Sequence, residues 1–281
     1  MLIFERSSEL KIHLDGIRSE SRQIGFVPTM GALHAGHISL INESKNLGLF
    51  TVCSIFVNPT QFNDKKDLEN YPRTPQADIE MLRQSGCDAL FMPTTEEIYP
   101  KEDNRVFNFG ALETVLEGAH RPGHFNGVAK VVSILFDKVQ PDVAFFGSKD
   151  YQQVMVVKAL VNQLNLPIRI IPCSIIREPD GLAMSSRNMR LTIVEREAAK
   201  LIPLLLNESK VLYKAQKPIS EIKAFVASKL AQKSIYKLDY FEICEAENLQ
   251  ILSDESDAKV GIALIACFVG NIRLIDNLIL D

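Results

Sequence analysis

Largely apolar runs alternate with helix-like periodicity over the first two thirds of the chain. The runs predict buried strands at residues 24–27, 50–57, 88–92, 143–146 and 168–173. Between them, apolar positions recur at helical spacing at residues 36–47, 76–84, 128–139 and 150–164. This alternation predicts a Rossmann-like, doubly wound α/β domain, in which helices cover both faces of a parallel sheet.

A different order of elements follows residue 176. Two helical stretches, 192–215 and 220–233, precede strand-like runs at 238–246, 259–269 and 272–280. Helices followed by strands that meet at a tight Gly270-Asn271 turn predict a small α+β domain with an antiparallel sheet. Pro203 is expected to kink or divide the first helix. The predicted domains are therefore residues 1–176 and, as the smaller one, residues 177–281.

The junction between the first predicted strand and its helix carries two glycines and two histidines. If the helix begins near Ala35, the imidazoles of His34 and His37 lie close to its free N–H groups, where the helix dipole attracts phosphate. Gly31 and Gly36 have no Cβ and would let a ligand approach the backbone. We therefore expect a nucleotide site here. The junction reads Pro28-Thr29-Met30-Gly31-Ala32-Leu33-His34-Ala35-Gly36-His37.

Other interpretations of this junction stay open. It lacks the Gly-x-x-x-x-Gly-Lys pattern of a P-loop and the Gly-x-Gly-x-x-Gly pattern of dinucleotide sites. A His-x-x-His pair can bind zinc, and two histidines can simply cap a helix. The cysteines are scattered singly, which disfavours zinc and agrees with a reducing compartment. They are Cys53, Cys87, Cys173, Cys244 and Cys267.

The net charge of the chain limits which kinds of partner it can bind. The 281 residues carry a formal net charge of −4 and an isoelectric point near 5.8, which argues against a general binder of nucleic acid or anionic membranes. Glu5 and Arg6 come too early for a signal peptide, and no apolar run approaches the roughly 20 residues that cross a bilayer. We expect a cytoplasmic protein that binds small molecules.

Four segments, read in order, resemble the pantothenate synthetase (pantoate:β-alanine ligase) family of the cytidylyltransferase-like nucleotide-binding superfamily. Beyond about residue 190 the resemblance is one of pattern only. Two positions depart from the family pattern: Lys130, expected on a helix surface, replaces a small hydroxyl residue, and Ala77 replaces an acidic residue. The segments are residues 28–37; Phe56-Val57-Asn58-Pro59-Thr60-Gln61-Phe62; Arg121-Pro122-Gly123-His124-Phe125-Asn126-Gly127-Val128; and Phe146-Gly147-Ser148-Lys149-Asp150-Tyr151-Gln152-Gln153 with Met184-Ser185-Ser186-Arg187-Asn188.

The resemblance implies ATP-dependent ligation of D-pantoate and β-alanine to pantothenate. In that reaction pantoate attacks the α-phosphate of ATP, giving pantoyl adenylate and pyrophosphate, and the β-alanine amine then releases AMP. Because ATP supplies the activation, the protein has to supply positioning and charge stabilisation. The resemblance also implies a homodimer and Mg²⁺ held mainly through ATP, with no metal site made by protein side chains.

It further implies particular site residues. His34, His37, Lys149 and Arg187 are the expected catalytic residues, which donate hydrogen bonds or positive charge to phosphate. Gln61 and Gln153 are expected to hold pantoate. Asp150 is a candidate for the ribose hydroxyls. Asn58, Tyr71, Arg121 and His124 are expected to close the site or orient β-alanine. The expected ATP-binding residues are Met30, Gly31, Ala32, Leu33, His34, Ala35, Gly36, His37, Gly147, Ser148, Lys149, Asp150, Ile176, Met184, Ser185, Ser186 and Arg187.

Three rival functions remain at this stage. A nucleotidylyltransferase of the same superfamily would release pyrophosphate but no AMP, and its phosphorylated acceptor would call for further basic residues. An aminoacyl-tRNA synthetase shares the histidine-glycine signature, but the chain shows no tRNA-binding domain. A non-catalytic ATP-binding protein would bind ATP without turnover.

Overall fold

The computed structural model describes residues 1–63, 65–255 and 260–281. Contacts divide the chain into two compact units: unit 1 is Met1–Ser148 with Gln153–Ser174, and unit 2 is Lys149–Gln152 with Ile175–Asp281. The strands are β1 Leu2–Phe4, β2 Ile24–Thr29, β3 Phe50–Ile55, β4 Ala89–Phe91, β5 Val143–Gly147, β6 Arg169–Cys173, β7 Tyr236–Glu245, β8 Gly261–Val269 and β9 Ile272–Ile279. The helices are α1 Ser7–Ser19, α2 Ala35–Asn46, α3 Lys65–Glu69, α4 Pro75–Gln84, α5 Thr95–Ile98, α6 Leu116–His120, α7 His124–Val139, α8 Tyr151–Gln163, α9 Ile193–Ala199, α10 Leu201–Lys214 and α11 Ile219–Ala231.

Unit 1 is built on a parallel sheet with the strand order β1-β4-β3-β2-β5-β6. β3 pairs with one edge of β2, and the chain crosses to the other edge to form β5. The order therefore reverses between β2 and β5. In doubly wound sheets this reversal opens a crevice at the carboxyl ends of the strands, where ligands bind. Residues 30–34, the Gly-His turn, follow β2 directly and so lie at this crevice.

Alternate residues of the parallel strands pack into two separate apolar clusters. Phe26 faces the cluster made with α1, α7 and the part of α8 in unit 1, whereas Val27 faces the cluster made with α2 and α4. Helices thus cover both faces, and the predicted α/β doubly wound class is confirmed. The five predicted strands are present with bounds shifted by up to two residues.

Two elements before residue 24 were not predicted. β1 has only three residues, and Leu2 and Ile3 are exposed at the edge of the sheet, so the strand leaves no alternating pattern to detect. α1 left a clear signal, because Leu10, Leu14 and Ile17 recur at helical spacing and are buried.

Unit 2 combines helices with an antiparallel sheet in the order β7-β8-β9, which confirms the predicted α+β class. Gly270 and Asn271 join the paired residues Val269 and Ile272, as expected. Position 259, where a strand was predicted to begin, lies outside the described residues. The single helix predicted at 192–215 is two helices, α9 and α10, which part at residue 200.

Pro203 explains this break. It occupies the third position of α10, where its missing N–H costs no helical hydrogen bond. In a continuous helix its ring would clash with the carbonyl four residues earlier, so the helix ends before that position and restarts. The predicted effect of Pro203 is confirmed as a division.

The cysteines Cys53, Cys87, Cys173, Cys244 and Cys267 are buried free thiols. Burial raises the pKa of Cys87, Cys244 and Cys267 to about 12, so these thiols stay protonated and act as small apolar side chains. None of the described helices is long and apolar enough to cross a membrane.

Candidate active site

The turn after β2 adopts an unusual backbone. Gly31 and Ala32 both have positive φ, 81° and 49°, a region that residues with a Cβ seldom occupy. The buried carboxylate of Asp78, on α4, accepts the backbone N–H groups of Ala32 at 2.9 Å and Leu33 at 2.8 Å. Thr74 donates its hydroxyl to the same carboxylate at 3.0 Å. Asp78 therefore fixes the conformation of the turn.

Asp78 was not among the sequence-predicted site residues. The sequence did contain a sign of its role. Asp78 is a charged residue four positions before Leu82, so it lies on the face of α4 that packs against the sheet. A carboxylate on a buried helical face needs donors, and unpaired backbone N–H groups of a turn are suitable ones.

The expected approach of a ligand to Gly31 stays a prediction, and the structure gives a second reason for glycine there. A Cβ built at Gly31 would lie 3.1 Å from both Asp78 Oδ2 and Ile55 Cγ2, so protein atoms, and not ligand space, fill that side of the residue. Glycine is needed here because φ is positive and because Asp78 approaches closely. Gly147 fits the expectation better, because a Cβ built there meets nothing within 4 Å.

His34 and His37 close the first turn of α2. The Nδ1 atom of His34 accepts the N–H of Gly36 at 3.2 Å, and the Nδ1 atom of His37 accepts the N–H of His34 at 3.3 Å. Their ring centroids lie 4.1 Å apart. Because each Nδ1 is an acceptor, each neutral ring carries its proton on Nε2. The two histidines thus cap α2, and the capping bonds fix the orientation of both rings.

We expect the Nε2–H of His37, and not its capping bond, to matter for turnover. His37→Ala removes both and should lower kcat about 100-fold, the scale of one lost transition-state donor. His37→Asn keeps an acceptor in the Nδ1 position but no Nε2, so it should unfold near the wild-type temperature and still lose activity. Steady-state kinetics with thermal unfolding measures both; a His37→Asn enzyme with wild-type turnover would leave His37 a capping role only.

Asn58 and Gln61 form a second, buried group after β3. Asn58 Nδ2 donates to Gln61 Oε1 at 3.0 Å and to the main-chain oxygen of Gly127 at 3.2 Å. Its Oδ1 accepts the hydroxyl of Tyr99, a residue the sequence analysis did not select, at 2.9 Å. Asn58 is 1% exposed, so in this conformation it positions Gln61. Its predicted contact with substrate stays a prediction.

Gln61 connects this group to the Gly-His turn. Its Nε2 lies 3.1 Å from Met30 Sδ, and its main-chain oxygen lies 2.8 Å from Nδ1 of the buried His124. Four sequence-predicted residues, Met30, Asn58, Gln61 and His124, are therefore brought together by direct contacts. The arrangement can present an amide to a carboxylate or hydroxyl group.

Gly127 allows α7 to approach this group. A Cβ built at Gly127 would collide with the main-chain oxygen of Thr60 and lie 2.7 Å from its carbonyl carbon, so the backbone would have to move. We expect Gly127→Ala to lower the free energy of unfolding by about 1–3 kcal/mol. Gly16→Ala in α1 is the matched control: its Cβ meets nothing within 4 Å, so it should stabilise by about 0.5–1 kcal/mol. Denaturant unfolding compares the two, and equal effects would contradict the close approach.

The remaining predicted residues of unit 1 lie on separate segments. Tyr71 is buried with its ring 5.6 Å from that of Phe62, and Arg121 Nη1 lies 3.4 Å from Glu117. Gly147 is the last residue of β5 and Ser148 follows it; β5 pairs in parallel with β2. Gln153 is half-buried in α8.

Unit 2 contains the other predicted residues. Lys149 and Asp150 lie in a 3₁₀ turn, with Lys149 Nζ 3.8 Å from Asp150. The main-chain oxygen of Lys149 accepts the side-chain amide of Asn277 at 3.0 Å. Asp150 is about half exposed, so it can present its carboxylate to a hydroxyl group.

The last predicted residues, Ile176 and 184–187, lie in a short hairpin and directly after it. The N–H of Met184 donates to the oxygen of Ile176 at 3.0 Å, and Arg177 bridges Ala183 beside it. Ser185 accepts the N–H of Arg187 at 3.3 Å and begins the 3₁₀ turn Ser186–Arg190. The hairpin thus fixes Ile176 and Met184 together, with the Ser-Ser-Arg segment directly after them.

The two departures from the family pattern have different surroundings. Lys130 is half-buried on α7 and donates to the main-chain oxygen of Asp103 at 2.7 Å. Ala77 is exposed on α4 and offers no metal ligand, and the Asp78 carboxylate is already bonded to backbone donors. α4 therefore does not fit a Mg²⁺ site. No group of three or more potential metal ligands occurs in the described part of the chain.

The chain is similar to known proteins over nearly its whole length. The model of the family described as pantoate-beta-alanine ligase matches residues 2–279. A pantothenate synthetase of Porphyromonas gingivalis is 49% identical over 278 residues, which cover 99% of each chain. The crystal structure of pantothenate synthetase from Thermus thermophilus superposes with a TM-score of 0.91 at 38% identity, covering 99% of each chain.

A second crystal structure is that of the pantoate-beta-alanine ligase of Francisella tularensis, complexed with beta-gamma ATP and beta-alanine. It has a TM-score of 0.84 and 35% identity, and the match covers 100% of this chain and 98% of that one. The family match and these relatives span nearly the whole sequence. The chain belongs to the pantothenate synthetase (pantoate-beta-alanine ligase) family.

Proposed function

We propose that this enzyme joins D-pantoate to β-alanine through a pantoyl-adenylate intermediate. In the first step the pantoate carboxylate attacks the α-phosphorus of MgATP, and pyrophosphate leaves. In the second, the neutral β-alanine amine attacks the acyl carbon, AMP leaves with the bonding electrons, and the amide nitrogen loses a proton. The single observation that best supports this is the pair of imidazoles of His34 and His37, which cap the start of α2 through Nδ1 and so orient their Nε2 atoms there.

The proposed roles follow from the chemistry of each residue. His34 and His37 donate to phosphate oxygens, and the N-terminus of α2 adds its dipole. Lys149 and Arg187 supply positive charge as the pyrophosphate leaves. Gln61 and Gln153 hold pantoate, Asp150 bonds the ribose, and Asn58, Tyr71, Arg121 and His124 orient or enclose the smaller substrates. The remaining proposed ATP contacts are the main chains at residues 30–36, 147–148, 176 and 184 and the hydroxyls of Ser185 and Ser186.

The relative from Francisella tularensis supports two of these ligands, because it was crystallised with beta-gamma ATP and beta-alanine. Mg²⁺ enters the proposal only as part of the substrate MgATP, bound through the phosphates. We further propose a cytoplasmic homodimer with a domain boundary after residue 176 and a C-terminal lid. Sedimentation tests the dimer, and limited proteolysis tests the boundary.

AMP formation is the decisive test. The purified protein is incubated with MgATP and D-pantoate, β-alanine, both, or neither. AMP released in equal amount with a new amide, and only with both substrates, supports the ligase. Pyrophosphate without AMP would instead identify a nucleotidylyltransferase, and ATP binding without either product would identify a non-catalytic protein.

A further inference from the structure

β9 carries two adjacent buried polar side chains, Asp276 and Asn277, which are 3% and 4% exposed. They pair with the apolar residues Ile265 and Leu264 of β8. Buried polar groups cost free energy unless they are hydrogen-bonded. Successive side chains of a strand point to opposite faces, so this pair can bond in two directions from one place.

Asn277 bonds to the segment that contains Lys149. Its Nδ2 donates to the main-chain oxygen of Lys149 at 3.0 Å. Two residues later, the hydroxyl of Tyr151 donates to the main-chain oxygen of Ala246 at 2.9 Å. These two bonds tie the short segment Lys149–Gln152 to the rest of unit 2.

Asp276 bonds to the hairpin that leads to Arg187. The Arg177 guanidinium donates to both carboxylate oxygens of Asp276, at 2.7 and 3.0 Å. It also donates to the main-chain oxygens of Gly181 at 3.0 Å and Asn277 at 3.2 Å. A planar guanidinium with four such acceptors has little freedom to move.

β9 therefore lies between two predicted active-site segments of the same unit. One bond reaches the backbone of Lys149, and a bidentate ion pair reaches the hairpin that holds Ile176 and Met184. The N–H of Asn277 also donates to Asp276 Oδ1 at 2.8 Å, which joins the two sets of bonds. A shift of β9 would move both segments.

We infer that Asn277 is a positioning residue for Lys149, and that the Arg177–Asp276 ion pair holds the strand from which Asn277 acts. The inference rests on the proposed function, in which Lys149 stabilises charge during adenylation. Reacting groups that are misplaced by about 1 Å can cost roughly 100-fold in rate, so loss of this bond should be visible in kinetics.

The test compares Asn277→Ala with Asn207→Ala. Asn207 also donates its Nδ2 to a main-chain oxygen of unit 2, that of Pro203 at 2.7 Å, but it lies on α10 and contacts no predicted site residue through that bond. Pantoate-dependent pyrophosphate release measures adenylation, and AMP release from pre-formed pantoyl adenylate with β-alanine measures the second step. We expect Asn277→Ala to slow the first step about 10- to 100-fold and the second by less than about 3-fold. Asn207→Ala should leave both near wild type.

A double-mutant cycle separates positioning from general damage. In a Lys149→Ala background, Asn277→Ala should change adenylation by less than about 2-fold, because the side chain it positions is gone. A full additional loss would overturn the inference. So would equal slowing of both steps, or an Asn277→Ala enzyme as fast as Asn207→Ala.

Asn277→Asp covers the case in which Asn277→Ala does not fold. It keeps the shape of the side chain and replaces the N–H donor with an oxygen, so it should also slow adenylation selectively; a wild-type rate would overturn the inference. A wild-type enzyme that releases no pyrophosphate with pantoate would overturn the proposed function and this inference together. If the wild-type enzyme is active but the variants do not show the expected rates, the inference alone is overturned.

Discussion

Lys149→Ala is expected to lower kcat for AMP formation about 100- to 1,000-fold, the scale seen when a preorganised group that stabilises transition-state charge is removed. The Lys149 side chain is 17% exposed, so little water is present to replace its charge. Its ion pair with Asp150, at 3.8 Å, is long, and its loss should cost the folded state little. Activity should therefore fall far more than the unfolding temperature.

Lys158→Ala is the matched control for Lys149→Ala. Lys158 is exposed on α8, nine residues further along the chain, and should keep turnover within about 2-fold. Steady-state kinetics with MgATP varied separates kcat from KM. If Lys149→Ala kept turnover within the same range, Lys149 would not act on the reacting phosphate.

Arg177→Met is expected to lower the free energy of unfolding by about 3 kcal/mol, because it leaves the carboxylate of Asp276 buried without its cation. The Asp276 side chain is 1% exposed. The Arg177 side chain is 28% exposed, so water already screens part of the ion pair and the loss in stability is smaller than for a fully buried pair. Arg273→Met in β9 is the control. Its partner Asp239 is 21% exposed, so that variant should lose about 0–1 kcal/mol. Denaturant unfolding measures both variants.

The loss in Arg177→Met should also depend on pH. Burial already raises the pKa of the Asp276 carboxyl, and Arg177 opposes that shift. Without Arg177 the folded-state pKa rises further, and the unfolded chain, with an ordinary value near 4, releases the proton first. Stability is therefore retained at low pH and lost as pH rises through the folded-state pKa. A deficit that grew as pH fell would contradict this account.

The sequence predicted the elements that have a strong local pattern and the residues that have a motif. The strands of the parallel sheet, the start of α2 near Ala35, and the hairpin at Gly270 and Asn271 follow from apolar runs, the junction and turn residues. β1 was not predicted, because an exposed three-residue edge strand forms through its pairing with β4, which local sequence does not encode.

The site residues missed by sequence reasoning act through contacts distant in the chain. Asp78 bonds Ala32 from 46 residues away, and Asn277 bonds Lys149 from 128 residues away. A motif search detects groups that touch a ligand, whereas these side chains bond to the backbone that carries such groups. Asp78 could still have been found as a charge on an apolar helical face, while Asn277 had no comparable signal.

The capping bonds of the two histidines limit how these side chains can bind a polyanion. Because both Nδ1 atoms accept backbone N–H groups, His34 and His37 can donate to phosphate only through Nε2. The proposed sources of formal positive charge are Lys149 and Arg187. Dissolved salt screens net charges far more than it screens short dipolar contacts. We therefore expect the ionic-strength dependence of ATP affinity to follow the charges of Lys149 and Arg187 and not the two histidines.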